Sequence, residues 1–130
     1  TLAAMRLHHL THNISRVRMN ETLRFYADLL GFERVPATED PEGKRLIWFQ
    51  IGDHQLHLSI RASADTATSR HFAIIVDAFE DLVARLDEAG VRIDRWDGDS
   101  LWRQRRDGNR SAFCYDPDGN RIELMGLPTP

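Results

Sequence analysis

The chain has 130 residues, 42% hydrophobic and 28% charged, with a net charge of −3. That is enough mass for one domain with a real core, and the single short basic stretch, "RQRRDGNR" from Arg103 to Arg110, is interrupted by Asp107 and excludes a surface that tracks phosphates along a nucleic acid. No apolar run approaches the ~20 residues of a membrane span, no secretion-signal pattern is present, and one cysteine closes no internal disulfide, so a cytoplasmic protein with Cys114 as a small buried hydrophobe is expected.

In chain order, "MRLHHLTHNIS" reads as a strand and "NETLRFYADLLGF" as an amphipathic helix. Leu23, Phe25, Tyr26, Leu29 and Leu30 form its apolar stripe, Asn20 caps its start and Gly31 ends it. Three strands follow, "FERVPAT", "KRLIWFQI" and "HQLHLSI", and a polar segment without periodicity, 62–69, acts as a linker. The order then restarts. "RHFAIIV" is a strand, Asp77 caps the helix "AFEDLVARLDEAG", "VRIDRWD" is a strand, a short strand is expected between Leu101 and Arg105, and "RSAFCYD" and "NRIELMG" form a closing hairpin around Asp-Pro-Asp-Gly-Asn. The two helices end on Gly31 and Gly90 and each runs at once into a strand. The expected fold is α+β: a βαβββ module over 5–61 and a second over 70–127, together one domain whose curved mixed sheet surrounds a cavity.

Four residues take matching places in this repeat. His9 and His71 lie in the first strands, while His57 and Glu123 lie in the last strands, each opposed by flanking apolar residues on the other face. Imidazoles and a carboxylate gathered from four strands suit a divalent cation without thiolates, so His9, His57, His71 and Glu123 are the expected metal ligands. His8 and His12 have the opposite parity and His54 sits at a turn; all three are read as non-ligands. Trp48, Phe49, Trp102 and Phe113 are candidates to line an apolar pocket, and Arg103 or Arg105 to hold a substrate carboxylate.

The segments "LHHLTHNI", "TLRFYADLLGF", "HQLHLSI", "RHFAIIV" and "DPDGNRIEL" together make the chain resemble the vicinal oxygen chelate superfamily over Met5 to Leu127. That group includes glyoxalase I, methylmalonyl-CoA epimerase, extradiol dioxygenases, fosfomycin-modifying enzymes and bleomycin-binding proteins. The resemblance implies paired βαβββ modules, commonly in a homodimer, and one divalent ion (Ni, Zn, Fe, Mn or Co) that chelates neighbouring oxygens of a small-molecule substrate. His9, His71 and Glu123 match the family's ligands, whereas His57 stands where glyoxalase I usually has a glutamate and the epimerase a glutamine. One carboxylate fewer leaves Glu123 as the expected catalytic base of a lyase or isomerase that stabilises an enediolate or enolate. Ring cleavage at Fe(II) is the alternative, although the family's tyrosine four residues before the proline of the last turn, Pro117, is Phe113 here. A metal-free protein that sequesters an antibiotic is the other alternative.

Overall fold

The computed structural model describes residues 4–128. The chain divides into two compact units, Thr1–Asp65 and Thr66–Pro130. The first contains β1 (His9–Ser15), α1 (Met19–Leu23), β2 (Glu33–Val35), β3 (Leu46–Ile51) and β4 (His54–Arg61). The second contains β5 (His71–Ile75), α2 (Phe79–Glu88), β6 (Arg103–Gln104), β7 (Arg110–Tyr115) and β8 (Arg121–Gly126). The sheets run β1-β4-β3-β2 and β5-β8-β7-β6. In each, the opening and closing strands pair in parallel and the other neighbours are antiparallel. The fold is therefore α+β, built from one module used twice.

Register carries the repeat down to single residues. Thr11 is the partner of His57 across β1 and β4, and Ala73 is the partner of Glu123 across β5 and β8. His9 thus precedes the partner of His57 by two positions, as His71 precedes the partner of Glu123. Because alternate residues share a face, each histidine is placed on the same side of its sheet as the residue expected beside it. The opposite faces form the cores. Leu56, Leu58, Ile47 and Phe49 are buried with Phe25 and Tyr26; Ile122, Leu124, Ala112 and Cys114 are buried in the second unit, as are Phe79, Leu82, Val83 and Leu86 of α2. Phe79 lies so close to β8 that a Cβ on Gly126 would come within 2.8 Å of its Cβ and Cγ, so only glycine fits there.

The closing hairpin forms as its sequence predicts. Gly119 takes φ 86°, and Asp116 gathers the turn by accepting from the backbone N–H groups of Asp118 and Asn120 at 3.0 and 2.9 Å. Other elements differ from expectation. Residues 5–8 lie outside β1. The chain leaves β1 through a 3₁₀ turn, Arg16–Arg18, so α1 starts at Met19 and Asn20 lies inside its first turn, where it caps nothing. After Leu23 the helix widens into a π-helix over Arg24–Leu29, with Leu30 N–H donating to the Phe25 carbonyl at 3.0 Å before Gly31 ends it at φ 76°. Asp77 is not the cap of α2 either, since the first helical bond runs from Leu82 N–H to the Ala78 carbonyl. The expected strand "VRIDRWD" is reduced to two isolated bridges, Ile93 with Cys114 and Trp96 with Ser100, because Trp96 N–H turns to the Ser100 carbonyl around Gly98 and takes the chain off the sheet. Among the described residues no helix is long and apolar enough to cross a membrane.

Candidate metal centre

Glu123 answers why an apolar strand carries a carboxylate. It is 5% exposed on β8, opposite Phe113 of β7. Its Oε2 accepts from Ser111 Oγ at 2.8 Å and from Arg105 Nη1 at 3.1 Å. Its Oε1 faces His71 Nε2 at 3.1 Å. His71 Nδ1 lies 3.0 Å from the Ser69 carbonyl, which only accepts, so Nδ1 carries the proton of that bond. Nε2 of a neutral His71 would then turn a lone pair toward a carboxylate oxygen, and two electron-rich atoms at 3.1 Å need a positive charge between them. A second imidazole proton supplies one, and a divalent cation supplies another. Two ligands about 2.0–2.1 Å from a tetrahedral ion stand about 3.3–3.4 Å apart, so the pair is close to the spacing an ion requires. The donor set fits a metal.

In the first unit His57 is 8% exposed and lies between two rings. Trp48 stacks on one side at 3.9 Å with an interplanar angle of 3°, and His9 stacks at 3.9 Å and 16°. His57 Nε2 is 2.8 Å from Gln55 Oε1. Burial pushes the His57 imidazole down to about 4, and the neighbouring His9 and His8 push in the same direction. His8 was expected on the opposite face; since β1 begins only at His9, strand alternation does not bind it, and its Nδ1 lies 2.9 Å from His9 Nδ1. One of these atoms donates and the other accepts, and when His9 donates its Nε2 is left with a lone pair. A cavity of about 390 Å³ opens over this group, lined by His9, Thr11, Glu39, Trp48, His57 and Ser59 among others.

The remaining candidates separate. Trp48 is at the site, and Phe113 places its ring edge-on to His71 at 5.1 Å with the Arg121 guanidinium over it at 3.8 Å. Arg105 touches Glu123 itself and also Asp107 at 3.3 Å. Arg103 lies over the Trp96 ring at 4.6 Å rather than on Glu123. Trp102 stands against core Phe79 at 5.9 Å, and Phe49 is fully buried in the other face, so neither ring belongs to the site. Among the described residues, no three His, Cys, Asp or Glu side chains are gathered so that they could hold an ion. Ser111, Gln55 and His8 went unmarked as site residues. The first two share the parity of Phe113 and His57, which was the available signal.

Cys114 takes no part. It is fully buried, and burial, with Asp116 adding to it, pushes its thiol up to about 12. In native protein it is expected to resist an aromatic disulfide reagent over a period in which the urea-unfolded chain reacts completely. Equal rates in the two states would contradict its placement.

Residues 6–124 match the family model described as the Glyoxalase/Bleomycin resistance protein/Dioxygenase superfamily. The chain is 26% identical over 122 residues to a protein of Serratia marcescens named glutathione transferase FosA, covering 91% of this chain and 78% of that one. A glyoxalase family protein from Bacillus anthracis superposes with a TM-score of 0.80 at 21% identity, covering 98% of both chains. A glyoxalase/dioxygenase from Nostoc punctiforme gives 0.77 at 24% identity, covering 99% of this chain and 98% of that one. At these identities the two structures establish a shared fold.

Proposed function

Because the chain belongs to the glyoxalase, bleomycin resistance protein and dioxygenase superfamily, we propose that it is a metal-dependent enzyme acting on a small substrate rich in oxygen, by a lyase or isomerase reaction. The observation that carries this is the His71–Glu123 pair, whose facing nitrogen and oxygen at 3.1 Å are spaced nearly as two ligands of one cation would be. His9, His71 and Glu123 are the proposed ligands. When bound, a divalent ion acts as a Lewis acid that draws electron density from a substrate oxygen and acidifies the adjacent carbon. Glu123 Oε1 is the proposed proton acceptor. Arg105 and Ser111 bind Oε2, which leaves Oε1, beside His71, as the oxygen to take the proton. Phe113 supplies apolar surface beside His71, Trp48 does so beside His57, and Arg105 offers a guanidinium to a substrate carboxylate. The proposal includes a homodimer in a reducing, cytoplasmic setting.

Two features weigh between the alternatives. Oxidative ring cleavage is disfavoured because Tyr115, the tyrosine nearest the expected position, has its hydroxyl bonded to both Asp94 oxygens at 3.0 Å and its ring under Arg92. Similarity to glutathione transferase FosA favours a second reading, addition of a thiol to an electrophilic substrate. Both are tested together. Protein stripped with a chelator and reloaded with Ni, Zn, Co, Mn or Fe is incubated in deuterated water with hydroxyketones, hydroxyaldehydes and 2-oxo acids. Metal-dependent deuterium at the α-carbon, read by mass spectrometry, is expected. Thiol adducts with epoxides, and no exchange, would move the assignment to a transferase; no metal uptake at all would end it.

A further inference from the structure

His57 is the residue in which this chain departs from its family's usual ligand types, and three contacts constrain it. The first is a chain of amides with only one consistent direction. The Gly52 carbonyl only accepts, so the Gln50 group 2.8 Å from it is the donating Nε2. Gln50 Oε1 therefore accepts from Gln55 Nε2 at 3.1 Å, which leaves Gln55 Oε1 as the acceptor facing His57 Nε2 at 2.8 Å. His57 Nε2 must carry hydrogen, and its lone pair is not available. The second constraint is the His9 stack. A metal bound through an imidazole lies near that ring's plane, about 2.0–2.1 Å from the nitrogen. Rings 3.9 Å apart and tilted by only 16° have planes that meet far beyond that reach, so one ion cannot lie in both. The third is Trp48, parallel to His57 within 3° on its other face, which blocks the ring from swinging out of the stack.

We propose that His57 is a positioning residue: a ring clamped between Trp48 and the Gln55 amide, whose face sets the plane in which His9 presents its nitrogen to the metal. This rests on the metal reading above. Only Nδ1 of His57 keeps a lone pair, and the stack turns it away from an ion held by His9, so toward that ion His57 supplies a surface rather than an electron pair. The cross-strand register makes this possible, because Trp48 is directly opposite His57 and His9 is two positions from its partner on the other side. An aromatic side chain without a nitrogen should then serve nearly as well, which no ligand would tolerate.

The test uses metal-free full-length protein titrated with Co²⁺ and followed by its visible absorption. His57→Phe is expected to bind within about threefold of the parent and to give the same band pattern. His57→Ala, which removes the stacking surface, is expected to weaken binding about tenfold, in the range that loss of an orienting group costs a metal site. Equal loss in both variants, or an altered band pattern in His57→Phe, would overturn the proposal. A measurement on the unaltered protein guards against misfolding of the variants: with ¹¹³Cd and ¹⁵N-labelled histidine, one-bond coupling is expected at His9 and not at His57. Coupling at His57 would overturn the positioning role while leaving the metal reading intact. Failure of the parent, or indifference of binding to His71→Ala, would instead sink the metal reading itself.

Discussion

Glu123→Gln is expected to reduce affinity for divalent metal by at least the ~10–100-fold that loss of a supporting group costs a metal site, and to remove turnover, while leaving the fold in place. The shape of the site explains why the two effects separate. Glutamine keeps an oxygen for Ser111 and turns an amide N–H₂ toward His71, so a direct hydrogen bond replaces the two electron-rich atoms that face each other in the parent. The pair no longer needs a cation. Arg105 keeps that same oxygen as an acceptor and loses only its negative charge, and it reaches solvent and Asp107 at 3.3 Å, so the stability change should stay within about 1 kcal/mol. Calorimetric titration with Zn²⁺ and a thermal melt of the same preparation check this. Unchanged affinity and activity would remove Glu123 from the centre of the site, whereas loss of metal together with loss of fold would make its role structural.

Phe49→Ala should have the largest effect on stability. Phe49 is fully buried on the face of β3 that points away from His57, and its ring packs 5.9 Å from Tyr26 and 6.3 Å from Phe32. Truncating such a ring costs about 3–5 kcal/mol through lost transfer energy and the cavity left behind. Against a typical total of about 5–15 kcal/mol, that is a large part of what holds a small unit folded. Urea unfolding is expected to show the loss directly, and amide exchange in β3 and β4 to accelerate. A cost under about 1 kcal/mol would show that the ring is not part of a close-packed core.

Alternation is the signal that made most of this molecule legible. In "HQLHLSI" it separates His57 from Leu56 and Leu58, and in "NRIELMG" it separates Glu123 from Ile122 and Leu124, so the faces and the equivalence of the two modules follow from the order of residues. Alternation fails where the backbone leaves the extended state. His8 lies one residue outside β1 and so joins His9 instead of opposing it, and Trp102, in an irregular approach to a two-residue strand, turns to Phe79. Helix ends were misjudged for another reason. Asn20 and Asp77 are good capping residues, but the 3₁₀ turn after β1 and the backbone at Ala78 decide where the helices begin. The π turn in "RFYADL" leaves no residue signature at all. Hydrogen-bond direction was beyond reach for a further reason: the tautomers of His57 and His71 depend on the backbone carbonyls of Gly52 and Ser69, which every residue type possesses.

The parallel pairing of β8 with β5 also sets a time order. His71 and Glu123 are 52 positions apart, and closing so long a loop is favourable only once the intervening helix and hairpin have taken up most of the slack. Within the second module a ribosome delivers β8 after the other strands. Until it emerges, a nascent second module has its histidine but not the buried carboxylate that would retain an ion. On the proposed metal reading, an ion would be retained only once β8 has joined β5, and a chain truncated before β8 would release any ion it met.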